Sequence, residues 1–125
     1  MNKIEYNLWG REFDLDITYD CYSDEEVLES QKEAVKSFLR FSKETDDALE
    51  SVKEYCLTNN RKEIGSNNID NIFKYVVPQY LFVPRDEMHQ TVAIMCNYKF
   101  DLEGGMAIVF QNGKLLDIGK QEIIL

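Results

Sequence analysis

The run Gln111-Asn112-Gly113-Lys114 constrains this chain more than any other stretch, because it sets a tight turn between two apolar segments. An Asn-Gly pair in that setting predicts a two-residue type I′ hairpin, since both central positions need positive φ and these residues tolerate it best. With Gln111 opposite Lys114, the expected facing pairs are Phe110 with Leu115, Val109 with Leu116, Ile108 with Asp117 and Ala107 with Ile118. One side of the ribbon then carries Ala107, Val109, Leu116 and Ile118 without a polar interruption and is expected to face the core. The other side carries Met106, Ile108, Phe110 and Leu115 beside Asp117, so it is apolar but frayed by a charge.

A second hairpin is expected at the start of the chain. Ile4, Tyr6 and Leu8 alternate with polar residues, and Gly10 supplies a turn after Trp9. From Glu12 the alternation is cleaner, with Phe13, Leu15, Ile17, Tyr19 and Cys21 on one side and Glu12, Asp14, Asp16, Thr18 and Asp20 on the other. This is the pattern of a half-buried strand whose exposed side is a row of carboxylates spaced about 6.5–7 Å apart. Such a row either meets a cationic partner or guards the sheet against edge pairing, and the pattern alone leaves both open.

Three helices are expected between the hairpins. Ser23 with Glu26 has the spacing of a capping box, and Val27, Leu28, Gln31, Ala34, Val35, Phe38 and Leu39 follow at helical spacing. A second helix is expected to start at Thr45, bury Ala48, Leu49, Val52, Tyr55 and Cys56, and stop by Thr58-Asn59-Asn60. Residues 61–68 read as a loop, and a short third helix bearing Ile69, Ile72, Phe73 and Val76 is expected to end at Pro78. Tyr80–Val83 is a short strand candidate, Thr91–Tyr98 has the apolar character of a central strand covered on both faces, and residues 121–125 are expected to add a last strand. The fold class is therefore α+β: an antiparallel sheet built from the N-terminal hairpin and the C-terminal strands, with about three helices inserted between them and packed on one face. With 125 residues and no repeat or linker, residues 1–125 read as a single domain.

Charge is distributed unevenly. Of the formal net charge of −9, residues 1–60 hold seven basic and fifteen acidic side chains, and the remainder is close to neutral. Nucleic acid and anionic membrane are poor partners for such a surface, because phosphate contacts need clustered Lys and Arg. A basic protein is steered toward it, and Glu12, Asp14, Asp16, Asp20, Asp24, Glu25 and Glu29 are the expected partner-binding residues. No apolar run approaches the ~18 residues of a membrane span and the start lacks the apolar core of a secretory signal, so the expected location is the cytoplasm.

The segment from Cys96 to Phe110, followed by Asn112-Gly113-Lys114 and by Ile118-Gly119-Lys120-Gln121-Glu122-Ile123-Ile124-Leu125, resembles the C-terminal signature of small bacterial domains catalogued as domain of unknown function 6985 and the similar domain of unknown function 2004. The resemblance extends upstream through Trp9, the strand from Phe13, and Gln31 to Phe38. Domains of that type close with an aspartate, a glutamate and a His-Gly pair before an apolar strand. This chain has Asp101, Glu103 and Gly105 but carries Gly104 at the position of the histidine. Because such domains occur among bacterial polymorphic-toxin and immunity gene sets, the resemblance implies a protein-binding role.

Catalytic chemistry finds little support in the residues. His89 is the only histidine, and a nucleophile pair with Cys96 would need a reachable thiol rather than one inside a strand. Cys21, Cys56 and Cys96 are odd in number and widely spaced, the pattern of free buried thiols rather than of zinc or redox chemistry. Asp101 and Glu103 could share a hard cation, but with no third ligand evident they read as residues that cap the turn. No catalytic residue, metal site or cofactor is assigned. Three function classes remain: an immunity protein that binds and neutralises a cognate basic toxin; an enzyme or metal-dependent domain around Asp101 and Glu103; and a structural or regulatory domain, or a homo-oligomer joined through Ile108, Phe110 and Leu115.

Overall fold

A hairpin of β1 (Lys3–Leu8) and β2 (Arg11–Tyr19) opens the chain in the computed structural model, which describes residues 3–21, 25–40, 42–85 and 89–125. Trp9 (φ 53°) and Gly10 (φ 85°) both take left-handed backbone, the geometry of a type I′ turn. Glycine accepts this freely, whereas tryptophan does so at a cost. The cost is offset by anchoring: the Trp9 indole N–H donates to the Thr45 carbonyl at 2.9 Å, and its ring lies 6.0 Å from that of Phe73.

Two helices follow, α1 (Glu29–Arg40) and α2 (Ser42–Ile64), and then a single 3₁₀ turn at Ile72–Lys74. The chain returns through β3 (Val76–Val83), β4 (Thr91–Tyr98), β5 (Met106–Gln111) and β6 (Lys114–Gly119), and closes with a 3₁₀ turn at Gln121–Ile123. The strands form one sheet in chain order, β1 to β6. β2 and β3 run parallel and every other pair is antiparallel.

This corrects the expected architecture: the sheet is mixed rather than antiparallel throughout, and the described residues hold two α-helices rather than three. A parallel pair needs a long crossover, and the helical insertion is that crossover. Gln31, early in α1, fastens the start of that crossover to the ends of the parallel pair, donating from Nε2 to the carbonyls of Asp20, just past β2, and Val83, at the end of β3 (3.0 and 3.1 Å). The expected third helix is absent because Val76 already belongs to β3 and Pro78 lies within that strand. Proline is tolerated there because the β3–β4 register shifts between Pro78 and Tyr80. The second helix runs past its expected stop to Ile64, with one non-helical residue, Asn60 (φ −138°), whose side chain accepts the Tyr98 hydroxyl at 2.6 Å. The capping residue expected at Ser23 lies outside the described residues, and residues 121–125 hold a turn where a strand was expected.

Both helices pack on one face of the sheet. Ala34, Val35 and Phe38 of α1 and Ala48, Val52 and Cys56 of α2 meet Tyr6, Leu8, Leu15, Leu81, Ile94 and Ile108 in the main core. The Asn112-Gly113 turn forms as expected (φ 53° and 82°), but the pairing beyond it does not. Phe110 pairs with Leu115, then Val109 with Asp117, so Leu116 is an extra residue on β6. The bulge brings Ile118 to the side of Leu115, and the side that meets the helices is the reverse of that expected: Met106, Ile108 and Phe110, with Leu115 and Ile118, face them. Ala107 and Val109 join Phe82, Ala93 and Met95 in a smaller apolar cluster on the opposite face, against which Ile124 packs, while Leu116 is 58% exposed.

Candidate functional site

The alternation of β2 turns Phe13, Leu15 and Ile17 toward the helices and leaves Glu12, Asp14 and Asp16 exposed on the other face of the sheet. β1 obeys the same rule, with Ile4, Tyr6 and Leu8 inward and Lys3, Glu5 and Asn7 outward. The hairpin register sets Lys3 against Asp16, Glu5 against Asp14, and Asn7 against Glu12. The outer face of the hairpin therefore carries Glu5, Glu12, Asp14 and Asp16 with a single cation, Lys3. Lys3 Nζ lies 3.8 Å from Asp16 Oδ1 in a well-hydrated pair that contributes little. Glu5 and Asp14 have no cation within ion-pairing distance among the described residues, and direct cross-strand neighbours have Cβ atoms only about 4.5–5.5 Å apart. At that separation in water, two like charges repel by roughly 0.8 kcal/mol. The next strand adds an apolar border, since Asp16 pairs with Tyr80 and Thr18 with Phe82.

Not all seven expected partner-binding residues gather here. Glu12, Asp14 and Asp16 share the face. Asp20 is exposed just past the end of β2, where its N–H donates to the Val83 carbonyl at 2.9 Å. Glu25 is ion-paired with Arg85, and Glu29 lies on α1, on the opposite side of the sheet, 3.5 Å from Lys32. Asp24 lies outside the described residues. The sequence reading also missed Glu5, although the signal was available: a two-residue turn at Trp9-Gly10 pairs position 5 with position 14.

At the far edge of the sheet, Asp101 and Glu103 border an open groove of about 430 Å³ with Gly104, Lys120 and Gln121. The Asp101 carboxylate is already engaged: Oδ1 accepts the Gly104 N–H at 2.9 Å and Oδ2 lies 3.6 Å from Lys120 Nζ. A side chain at Gly104 would collide with that carboxylate, its Cβ falling 2.3 Å from Asp101 Oδ2. A histidine at this position thus requires the Asp101 carboxylate to swing away from the Gly104 N–H. Among the described residues no three His, Cys, Asp or Glu side chains converge as metal ligands do.

The buried thiols, Cys56 and Cys96, are equally unsuited to nucleophilic work. Cys96 is fully buried in β4, and burial pushes its thiol well above the ordinary range. Cys56 is pushed up to about 11 for the same reason. Both stay protonated near neutral pH, and a protonated thiol is a poor nucleophile.

No helix among the described residues is long and apolar enough to cross a membrane. No curated protein and no solved structure matches the chain significantly. A family model does match, over residues 1–125, and its description is "Domain of unknown function (DUF6985)". By that match the chain belongs to the DUF6985 family.

Proposed function

We propose that this chain is a cytoplasmic binding protein whose β1–β2 face docks a basic protein, and that it acts as an immunity protein occluding a cognate bacterial toxin. One observation carries the reading: Glu5 and Asp14 oppose each other across the hairpin, with no cation within ion-pairing distance of either among the described residues. Like charges directly opposite destabilise a sheet, so the free protein gives up stability to keep them. A lysine or arginine arriving from a partner removes that repulsion and adds attraction. The net charge of −9 strengthens the encounter by steering a cationic partner inward. Occlusion requires complementary shape and potential only, so a binding protein of this kind needs no catalytic group, metal or cofactor. The same surface repels nucleic acid and anionic lipid. The toxin-immunity setting comes from the kind of gene sets in which such domains are found, and a toxin gene directly upstream would support it.

The test is calorimetric titration with the purified cognate toxin across a range of salt concentrations. The reading predicts affinity that falls steeply as salt rises and a further loss of several-fold in Asp14→Asn, mostly in the association rate. Binding indifferent to salt, or unchanged in Asp14→Asn, would refute it. The competing metal-enzyme reading at Asp101 and Glu103 would be revived by stoichiometric cation binding that disappears in Asp101→Asn.

A further inference from the structure

The two edges of the sheet are built differently. β6 is interrupted by the bulge at Leu116, and α2 packs against it. Bulges and covering elements are the usual means of blunting an edge. Among the described residues β1 has no bulge, and no helix packs against it as extensively as α2 packs against β6. Its six residues pair with β2 in unbroken register from Lys3–Asp16 to Leu8–Arg11, and among the described residues it has no strand on its other side. Half of its backbone N–H and C=O groups therefore point along the sheet toward an empty strand position.

We propose that this edge accepts an extended segment of the basic partner as a seventh strand, which rests on the reading of the β1–β2 face given above. Strand addition draws affinity from main-chain hydrogen bonds and selectivity from alternate side chains. Here the selectivity is set by β1 itself. On the outer face, an incoming residue opposite Glu5 meets Glu5 first and Asp14 behind it, so a lysine or arginine reaches both carboxylates of the uncompensated pair. On the inner face, an apolar residue covers Ile4, which is only partly buried although Tyr6 and Leu8 beside it are buried. The segment that fits alternates cationic and apolar residues. A second copy of this chain fits less well than a cationic strand, because edge-to-edge pairing on a common face abuts two copies of the same surface, four carboxylates with the one lysine, Lys3. The charges that a cationic strand finds attractive thus also keep the edge from pairing with itself.

The probe is a short synthetic peptide alternating Lys and Val, titrated at low salt while amide hydrogen exchange is followed by NMR. The proposal predicts slowed exchange concentrated in residues 3–8, no binding by the Glu-for-Lys peptide, and binding about tenfold or more weaker when alternate peptide amides are N-methylated, since each methyl removes a main-chain hydrogen bond. In Glu5→Lys the preference inverts toward the acidic peptide. Failure of the Lys-Val peptide to bind, or binding that survives N-methylation and leaves the β1 amides unprotected, overturns strand addition while leaving the docking face intact. Concentration-dependent protection of β1 without any peptide also overturns it, by naming a second copy as the occupant. A cognate toxin whose affinity is unchanged by Asp14→Asn overturns the docking face, and strand addition falls with it.

Discussion

Replacing Gln31 tests whether the parallel crossover is held by one side chain. Gln31 is 1% exposed and uses its whole amide: Oε1 accepts the Leu28 N–H at 2.9 Å, and Nε2 donates to the Asp20 and Val83 carbonyls. In Gln31→Ala the Val83 carbonyl keeps a second donor, the Asp20 N–H. The Asp20 carbonyl and the Leu28 N–H lose this partner, but both bonds are only part-buried, so each loss costs about 0.5–1.5 kcal/mol. Together they cost about 1–3 kcal/mol, a sizeable share of the roughly 5–15 kcal/mol that holds a domain together. At this chain length the change corresponds to a fall in Tm of roughly 4–12 °C. Urea denaturation reads it directly as a lower midpoint at unchanged slope. Gln31→Glu sharpens the test, because it keeps the shape and reverses the polarity. Burial raises the pKa of a glutamate at that position, so the variant is most stable below the unfolded value of about 4.3 and loses stability as pH rises through its folded value. A cost below about 0.5 kcal/mol for Gln31→Ala, within the range of ordinary surface substitutions, would refute the reasoning. A Gln31→Glu variant whose deficit ignores pH would do the same.

Trp9→Ala removes the bond to the Thr45 carbonyl and the contact with Phe73; a loss of about 2–3 kcal/mol is expected for this half-buried ring, with faster amide exchange in β1 and β2. Gly105→Ala destabilises by about 1–3 kcal/mol, because φ is +61° and the new Cβ falls 2.9 Å from the Cys96 carbonyl; chemical denaturation measures it. Stability should also decline in alkali. Burial raises the Cys56 thiol from 9.0 to about 11 and raises the Cys96 thiol and Tyr98 hydroxyl as well, so the unfolded chain releases these protons first. The Cys56 contribution is complete below about pH 9 and drains away between pH 9 and about 11, while those of Cys96 and Tyr98 drain further into alkali; a flat pH profile from pH 9 to about 11 would contradict the assignment.

Much of this molecule was legible in local pattern. The Asn112-Gly113 turn, the alternation of β2 and the doubly covered β4 each follow from one rule of backbone geometry, and each formed. What could not be read depended on single residues. Leu115 and Leu116 are both apolar, so nothing local says which is the extra one, yet that choice decides whether Ile118 or Asp117 sits opposite Ile108. Ile69, Ile72, Phe73 and Val76 have helical spacing, but residues entering a strand from a 3₁₀ turn bury the same side chains. Pro78 read as a terminator because its missing N–H normally ends an element; beside a register shift that N–H is not needed. Asn60 read as a stop, but a distant hydroxyl, that of Tyr98, bonds its side chain at a kink that α2 continues past. The carboxylate row was visible from β2 alone. Its sharpest feature, Glu5 against Asp14, appears only once the two strands are placed in register.

That opposed pair supplies the most direct test of the account. In Asp14→Asn, two quantities are measured side by side: unfolding free energy of the isolated protein, and affinity for its basic partner. The account predicts opposite signs, with the free protein stabilised by about 0.2–1 kcal/mol as the like-charge repulsion disappears, and the complex weakened several-fold. A variant that is stabilised and still binds as tightly as before would mean that the carboxylates of β1 and β2 serve no partner.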